Sequence, residues 1–238
     1  MPHVMKIVAI VAQKGGTGKS TLTANLAVAA ARQGLRTLVV DADPQASLLD
    51  WKRSRGPGEP SVLAAKPSAI HPTRFAAERA GVDIMLIDTR ASALDASLEA
   101  AKPADLTLVV VRPSIIDLRA IAATVDSLRP LQRPAAFVIN QAPSRRSACE
   151  ARVVSEAVEV LLRFGLPIAP VALRSRSIYP GAFSQGRSPL EIAPDGAAAA
   201  ELGGLWSYVS GRLQQPAPLT SILAPLRPRA LELRASAN

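Results

Sequence analysis

Lys14-Gly15-Gly16-Thr17-Gly18-Lys19-Ser20-Thr21 brings lysines, glycines and hydroxyl side chains together directly after the apolar run Ile7–Ala12. A helical pattern follows. A buried strand, a glycine-rich turn and a helix start, in that order, form a cradle for phosphate. The first amide N–H groups of the helix have no partner within it, and the positive end of the helix dipole faces the same anion. Gly15, Gly16 and Gly18 allow the backbone to approach the oxygens closely. Lys19 is placed to reach β- and γ-phosphates and Ser20 to ligate Mg²⁺. The usual G-x-x-x-x-G-K-[ST] spacing is missed at its first position, Gln13, and an additional lysine, Lys14, opens the glycine run. The alternative is a glycine turn with incidental lysines. The ordered arrival of strand, glycines, Lys-Ser and helix argues against it.

Two further stretches carry carboxylates at strand ends. Val39-Val40-Asp41-Ala42-Asp43-Pro44-Gln45 closes the second apolar run, where either acid could orient a water or hold the hydration shell of Mg²⁺. Alternatively, these acids cap a helix that starts after Pro44. Asp83-Ile84-Met85-Leu86-Ile87-Asp88-Thr89 ends a third run in an aspartate, the Walker B arrangement that fixes Mg²⁺ through a carboxylate.

The elements that must position these groups alternate between strand and helix patterns. Strands are predicted over 6–12, 37–41, 84–88, 106–111, 136–140 and 168–171, with a weak one over 62–65. Helices are predicted over 20–33, 46–53, 93–101, 117–128, 148–164 and 196–213, with a short one after His71. Near-continuous apolar strands suit a sheet covered on both faces. The expected fold class is therefore α/β: a single-domain, doubly wound, mainly parallel sheet. Residues 1–213 form the domain, and 214–238, with Pro216, Pro218, Pro225 and Pro228, are read as a flexible tail.

Composition narrows the partners. The chain has 238 residues, 48% hydrophobic but only 3% aromatic, so its core must be built from Ala, Val, Leu and Ile. A formal net charge of +9 points to a polyanion, the alternative being a generally basic surface. Arg145-Arg146, Arg174-Ser175-Arg176 and Arg187 are the candidate cations for phosphate contacts, with solvated helix ends as the alternative. Few aromatics leave little for base stacking. Cys149 is the only cysteine, which excludes a disulfide framework and a cysteine metal cluster within one chain. No apolar run reaches membrane-spanning length, and the N-terminus lacks a secretory pattern, so the expected location is cytoplasmic.

The three motifs together resemble the ParA/MinD family of deviant-Walker ATPases, whose pattern is K-G-G-x-G-K-[ST]-T, then D-x-D-P-Q, then an aspartate-ended strand. The resemblance covers roughly residues 5–213, through Val109–Ser114, Val138-Ile139-Asn140 and the Arg176…Tyr179…Gly186 stretch, and is closest to small ParA-type partition ATPases. It implies ATP and Mg²⁺ as cofactors. It implies that Lys14 crosses a homodimer interface to the partner's nucleotide, and that Lys19 binds β/γ-phosphate. Gly15, Gly16, Thr17 and Gly18 line the phosphates, Ser20 holds Mg²⁺ and Thr21 binds the α-phosphate. Asp43 orients the attacking water, Asp41 and Asp88 support the metal, and Asn140 contacts adenine. It also implies non-specific double-stranded DNA as partner, with Arg174, Arg176 and Arg187 on that surface, nucleoid association, and an adaptor or centromere-binding protein that stimulates hydrolysis. One departure stands out: after Asp88-Thr89 the family often has Pro-Pro, whereas this chain has Arg90-Ala91-Ser92. Similar wording occurs in ParA-like proteins linked to conjugative transfer, which leaves the cargo open. Alternatives on the same fold are a MinD-like membrane-surface ATPase, disfavoured by the tail prolines, and a small-molecule kinase or synthetase. A nitrogenase-type reductase is excluded by the single cysteine.

Overall fold

In the computed structural model, which describes residues 4–91, 93–145 and 149–215, six parallel strands form one sheet in the order β3-β2-β4-β1-β5-β6. The strands are β1 (Lys6–Val11), β2 (Thr37–Ala42), β3 (Ser61–Ala64), β4 (Ile84–Thr89), β5 (Leu106–Val111) and β6 (Ala135–Ile139). The helices are α1 (Lys19–Arg32), α2 (Ser47–Arg55), α3 (Ile70–Arg79), α4 (Leu94–Ala101), α5 (Ile115–Leu128), α6 (Arg152–Leu162), α7 (Ile178–Ser184), α8 (Pro189–Ile192) and α9 (Ala197–Gln214).

β1 sits between β4 and β5 and shows why the strands read as unbroken apolar runs. Val8 and Ile10 enter one cluster with α1 and α9, whereas Ile7 and Ala9 enter another with Ile70, Ala77 and Ala100 from α3 and α4. Alternate side chains thus meet helices on opposite faces, and both faces are dry. A third cluster joins β5 and β6 to α5 and α6 through Val109, Phe137, Val125 and Leu161.

The expected strand over 168–171 does not form. Its residues add a single bridge, Phe137 to Ile168, because Pro167 and Pro170 remove two amide donors that a ladder requires. α6 begins at Arg152; the expected start at Ala148 lies outside the described residues, as do His3, Ser92, Arg146 and the whole tail from Pro216. α7 and α8 fall outside the expected elements. α8 carries a signature that the sequence does contain: Ser188 accepts a bond from the Leu190 amide, Glu191 reaches back to the Ser188 amide, and Pro189 opens the helix.

Glu191 also joins α8 to α2. Arg55 grips it with both terminal nitrogens, at 3.0 and 2.7 Å, and stacks over Trp51 at 5.2 Å. This close approach depends on Gly186, which has φ +67° and whose Cβ, if added, would lie 2.1 Å from the Arg55 backbone nitrogen. Gly186→Ala must therefore push α2 away or distort the turn. We expect a loss of about 2 kcal/mol or more, a fall in melting temperature of about 4–8 °C for a domain of this size. Scanning calorimetry checks this; an unchanged transition would show that the α2–α8 contact is not tight.

Candidate functional site: a phosphate cradle at the carboxyl ends of β1, β2 and β4

The sheet register brings the sequence motifs to one edge. Asp88 lies opposite Ile10 in the β1–β4 ladder and opposite Asp41 in the β2–β4 ladder. The loop 12–18 leaves β1 at the same level and enters α1 at Gly18, which adopts φ +83°. Among the described residues no side chain caps this helix, so its first-turn amides stay available to an anion. Gly18 is also packed: an added Cβ would lie 2.5 Å from the Asn140 amide nitrogen. That amide donates to the Thr17 carbonyl at 2.7 Å, and the neighbouring Gln141 amide donates to the Gly16 carbonyl at 2.9 Å. Asn140, expected to contact adenine, thus braces the cradle from the end of β6.

Inside the cradle, the Ser20 hydroxyl donates to Asp88 Oδ2 at 2.6 Å, while Thr23, whose hydroxyl lies 3.0 Å from the Lys19 carbonyl, is 3.4 Å from Oδ1. Asp88 is buried, and burial pushes its pKa up to about 7, against the bond from Ser20 and the charge of Lys19. Lys19 is itself only 7% exposed. A cavity of about 420 Å³ opens beside these groups, lined by Gly15, Gly16, Gly18, Lys19, Ser20, Thr21, Asp43, Gln45 and Arg90.

The two acids of Asp41-Ala42-Asp43 separate. Asp41 is buried, and its Oδ2 accepts from the amides of Leu48 and Leu49 at 3.0 and 3.3 Å, while Oδ1 accepts from the Asp43 amide. It caps α2 and does not line the cavity, so of the two roles read from the sequence the capping one describes Asp41. Asp43 is half-buried and does line the cavity. Among the described residues, no group of three or more His, Cys, Asp or Glu side chains could hold a metal ion. The donor set fits Mg²⁺ arriving with phosphates, since that ion keeps several waters and needs one or two protein oxygens. Ser20 and Asp88 place two such oxygens side by side in the cradle.

Lys14 stands outside the cavity lining. Its ammonium lies 4.0 Å from Asp117. Asp117 is held by Arg112 through bonds of 2.7 and 3.1 Å, and its own amide donates to Ser114 at the start of α5. Burial opposes the charge on Asp117, yet the Arg112 bonds hold its pKa below the usual carboxylate value. In the sequence, Arg112 falls within the Val109–Ser114 part of the family pattern, with nothing local to mark it and Asp117 as a pair.

The candidate DNA arginines are placed differently from expectation. Arg174 is 5% exposed, and its two terminal nitrogens engage both Glu150 oxygens at 2.5 and 2.6 Å, which holds the Glu150 pKa down at about 2. On the monomer it is buried and paired, not a free surface cation. Arg176 donates to Glu201 at 2.6 Å, and Arg187 is exposed, with one bond to the Glu191 carbonyl. Arg145 is exposed and bonds Glu150. Arg174 and Arg176 instead line a second cavity of about 470 Å³ on the far side of the cradle, together with Asn140, Thr21, Asn25 and Tyr179. Burial raises the Tyr179 pKa, and its hydroxyl has no partner among the described residues.

A parallel sheet with a glycine-braced anion cradle ending in Lys-Ser, facing an aspartate on the next strand, defines a P-loop nucleotide-binding domain of the α/β class. Residues 8–187 match the CobQ/CobB/MinD/ParA nucleotide binding domain, and the chain belongs to that family. It is 28% identical over 199 residues to maintenance of carboxysome distribution protein A from Halothiobacillus neapolitanus, covering 79% of this chain and 88% of that one. Among solved structures, apo McdA from Cyanothece superposes with a TM-score of 0.72 at 16% identity, over 87% of this chain and 100% of that one. The septum site-determining protein MinD from Pyrococcus horikoshii, solved with Mg-ADP, gives 0.69 at 19% identity over 90% and 100%.

Proposed function

We propose that this chain is an ATP-driven positioning ATPase: it binds ATP with Mg²⁺, pairs with a second copy across the nucleotide, and is released by hydrolysis. The observation that carries this reading is the meeting of Ser20, Asp88 and buried Lys19 at one sheet edge, behind an open glycine cradle. Bound Mg²⁺ would neutralise charge on the β- and γ-phosphates. Lys19 and the first amides of α1 hold the phosphates, with Gly15, Gly16, Thr17, Gly18 and Thr21 around them. Ser20 and Asp88 present oxygen to the metal. Asp41 supports that end of the site indirectly, by fixing the start of α2. Asp43, half-buried in the cavity lining, orients the attacking water. The cavity beside Asn140 and Tyr179 takes the adenosine end, where an unpartnered hydroxyl and polar amides can meet a base or ribose.

The cargo side follows from charge and kinship. A net charge of +9 supports non-specific DNA binding by the dimer and nucleoid association, through phosphate contacts that need no base reading. Arg187 is the most available of the three named arginines; Arg174 and Arg176 would first have to leave Glu150 and Glu201. A relative named for carboxysome distribution makes a protein assembly, linked through an adaptor that stimulates hydrolysis, a candidate cargo beside DNA. The test is binding of a fluorescent double-stranded DNA with ATP and with ADP. ATP should tighten binding about tenfold or more, and rising salt should weaken it steeply. Equal binding with both nucleotides would remove DNA from the cycle.

A further inference from the structure

Arg90 stands at a fixed point beside the cradle. It follows Thr89, whose buried side chain donates to the Ile10 carbonyl at 3.0 Å and so ties the end of β4 to β1. From there Arg90 lines the same cavity as Lys19, Ser20 and Asp43. It is exposed, and it makes no hydrogen bond or ion pair with any described residue. This differs from the paired state of Arg55, Arg112, Arg174 and Arg176. A guanidinium on the wall of a cavity that a buried lysine also lines gains no ion pair from the described residues there. It is well placed for an anion that enters between them.

We infer that Arg90 binds the terminal phosphate of ATP from within its own subunit, as a catalytic and specificity-determining cation in addition to the lysines of the glycine loop. The inference rests on the nucleotide reading of this site. Arginine suits this role because its planar fork can give two parallel bonds to phosphoryl oxygens, which lysine cannot. A cation there would stabilise the bound triphosphate and the charge that builds on the leaving phosphoryl group. Lys14 lies near Asp117 and outside the cavity lining, so in the monomer Arg90 is the nearer of the two to the cradle's open side.

The test measures dissociation constants for a non-hydrolysable ATP analogue and for ADP, both with Mg²⁺, in wild type, Arg90→Ala and Arg90→Lys. Each is repeated with Lys14→Ala, which removes the partner's cation. Arg90→Ala should weaken the ATP analogue about 10- to 100-fold, the worth of one or two charge-assisted bonds, and change ADP affinity by less than about twofold. Arg90→Lys should fall between, and the loss should persist with Lys14→Ala. Equal weakening of both nucleotides, or none of either, would overturn the inference. In the second case ATP would still bind, and the nucleotide reading would stand. Failure of wild type to bind either nucleotide would end both. Unchanged melting temperatures across the set exclude an effect through folding.

Discussion

Lys19→Ala is expected to lower ATP affinity by about 100-fold or more while leaving the fold intact. Lys19 opens α1 and is only 7% exposed, and its charge acts on the Asp88 carboxylate. Removing one partner of a buried, charge-assisted contact costs about 2–5 kcal/mol, because the phosphate charge must then be held without its counter-charge. Alanine is the best helix former at this position, so α1 itself loses nothing. Isothermal titration with ATP and ADP should show both nucleotides weakened, since β-phosphate is common to them. That pattern differs from the one expected of Arg90→Ala, which separates the two. Circular dichroism should be unchanged. Retained ATP affinity in Lys19→Ala would mean that the cavity is not a phosphate site.

The loop was legible because its chemistry is local. Strand, glycines, Lys19 and Ser20 are adjacent in the chain, and a helix start supplies its own donors. Asp88 was legible for a related reason, as the first charge after an apolar strand. Asp41 and Asp43 could not be separated in the same way. They differ only in how the turn after β2 aims them, and that turn brings the amides of Leu48 and Leu49 to Asp41 alone. The arginines misled through distance. Arg174 and Arg176 read as an exposed run, but their partners Glu150 and Glu201 lie 24 and 25 residues away in the chain. Nothing local marks such a pairing. At 168–171 the apolar run outweighed two prolines that forbid a ladder. Arg90 was visible as a departure from the family pattern, yet its place on the cavity wall needed the register of β4 against β1.

Lys14→Ala should separate binding from turnover. In the monomer, Lys14 lies 4.0 Å from Asp117 and is about one-third exposed, so its hold there is weak and long. Asp117 is already satisfied by Arg112 and keeps its charge without Lys14. Removing Lys14 therefore costs the monomer little, and a pair this exposed contributes less than about 1 kcal/mol. If the same lysine reaches the triphosphate of a second copy, it adds a cation only in the dimer, where charge develops during phosphoryl transfer. Cations supplied in trans in comparable reactions are worth about 10³–10⁵ in rate. We expect Lys14→Ala to keep the ATP affinity of the monomer, measured at dilute protein, within about threefold of wild type, since Lys19 and Arg90 remain, and to lose about 100-fold or more in turnover. Sedimentation with a non-hydrolysable analogue should show the wild type as a dimer and the variant as a monomer. Asp117→Asn supplies the converse: it frees Lys14 without removing it, and dimerisation with ATP should be kept. A Lys14→Ala protein that dimerises and turns over normally would place the whole triphosphate chemistry inside one subunit, with Arg90 as the remaining cation beside Lys19.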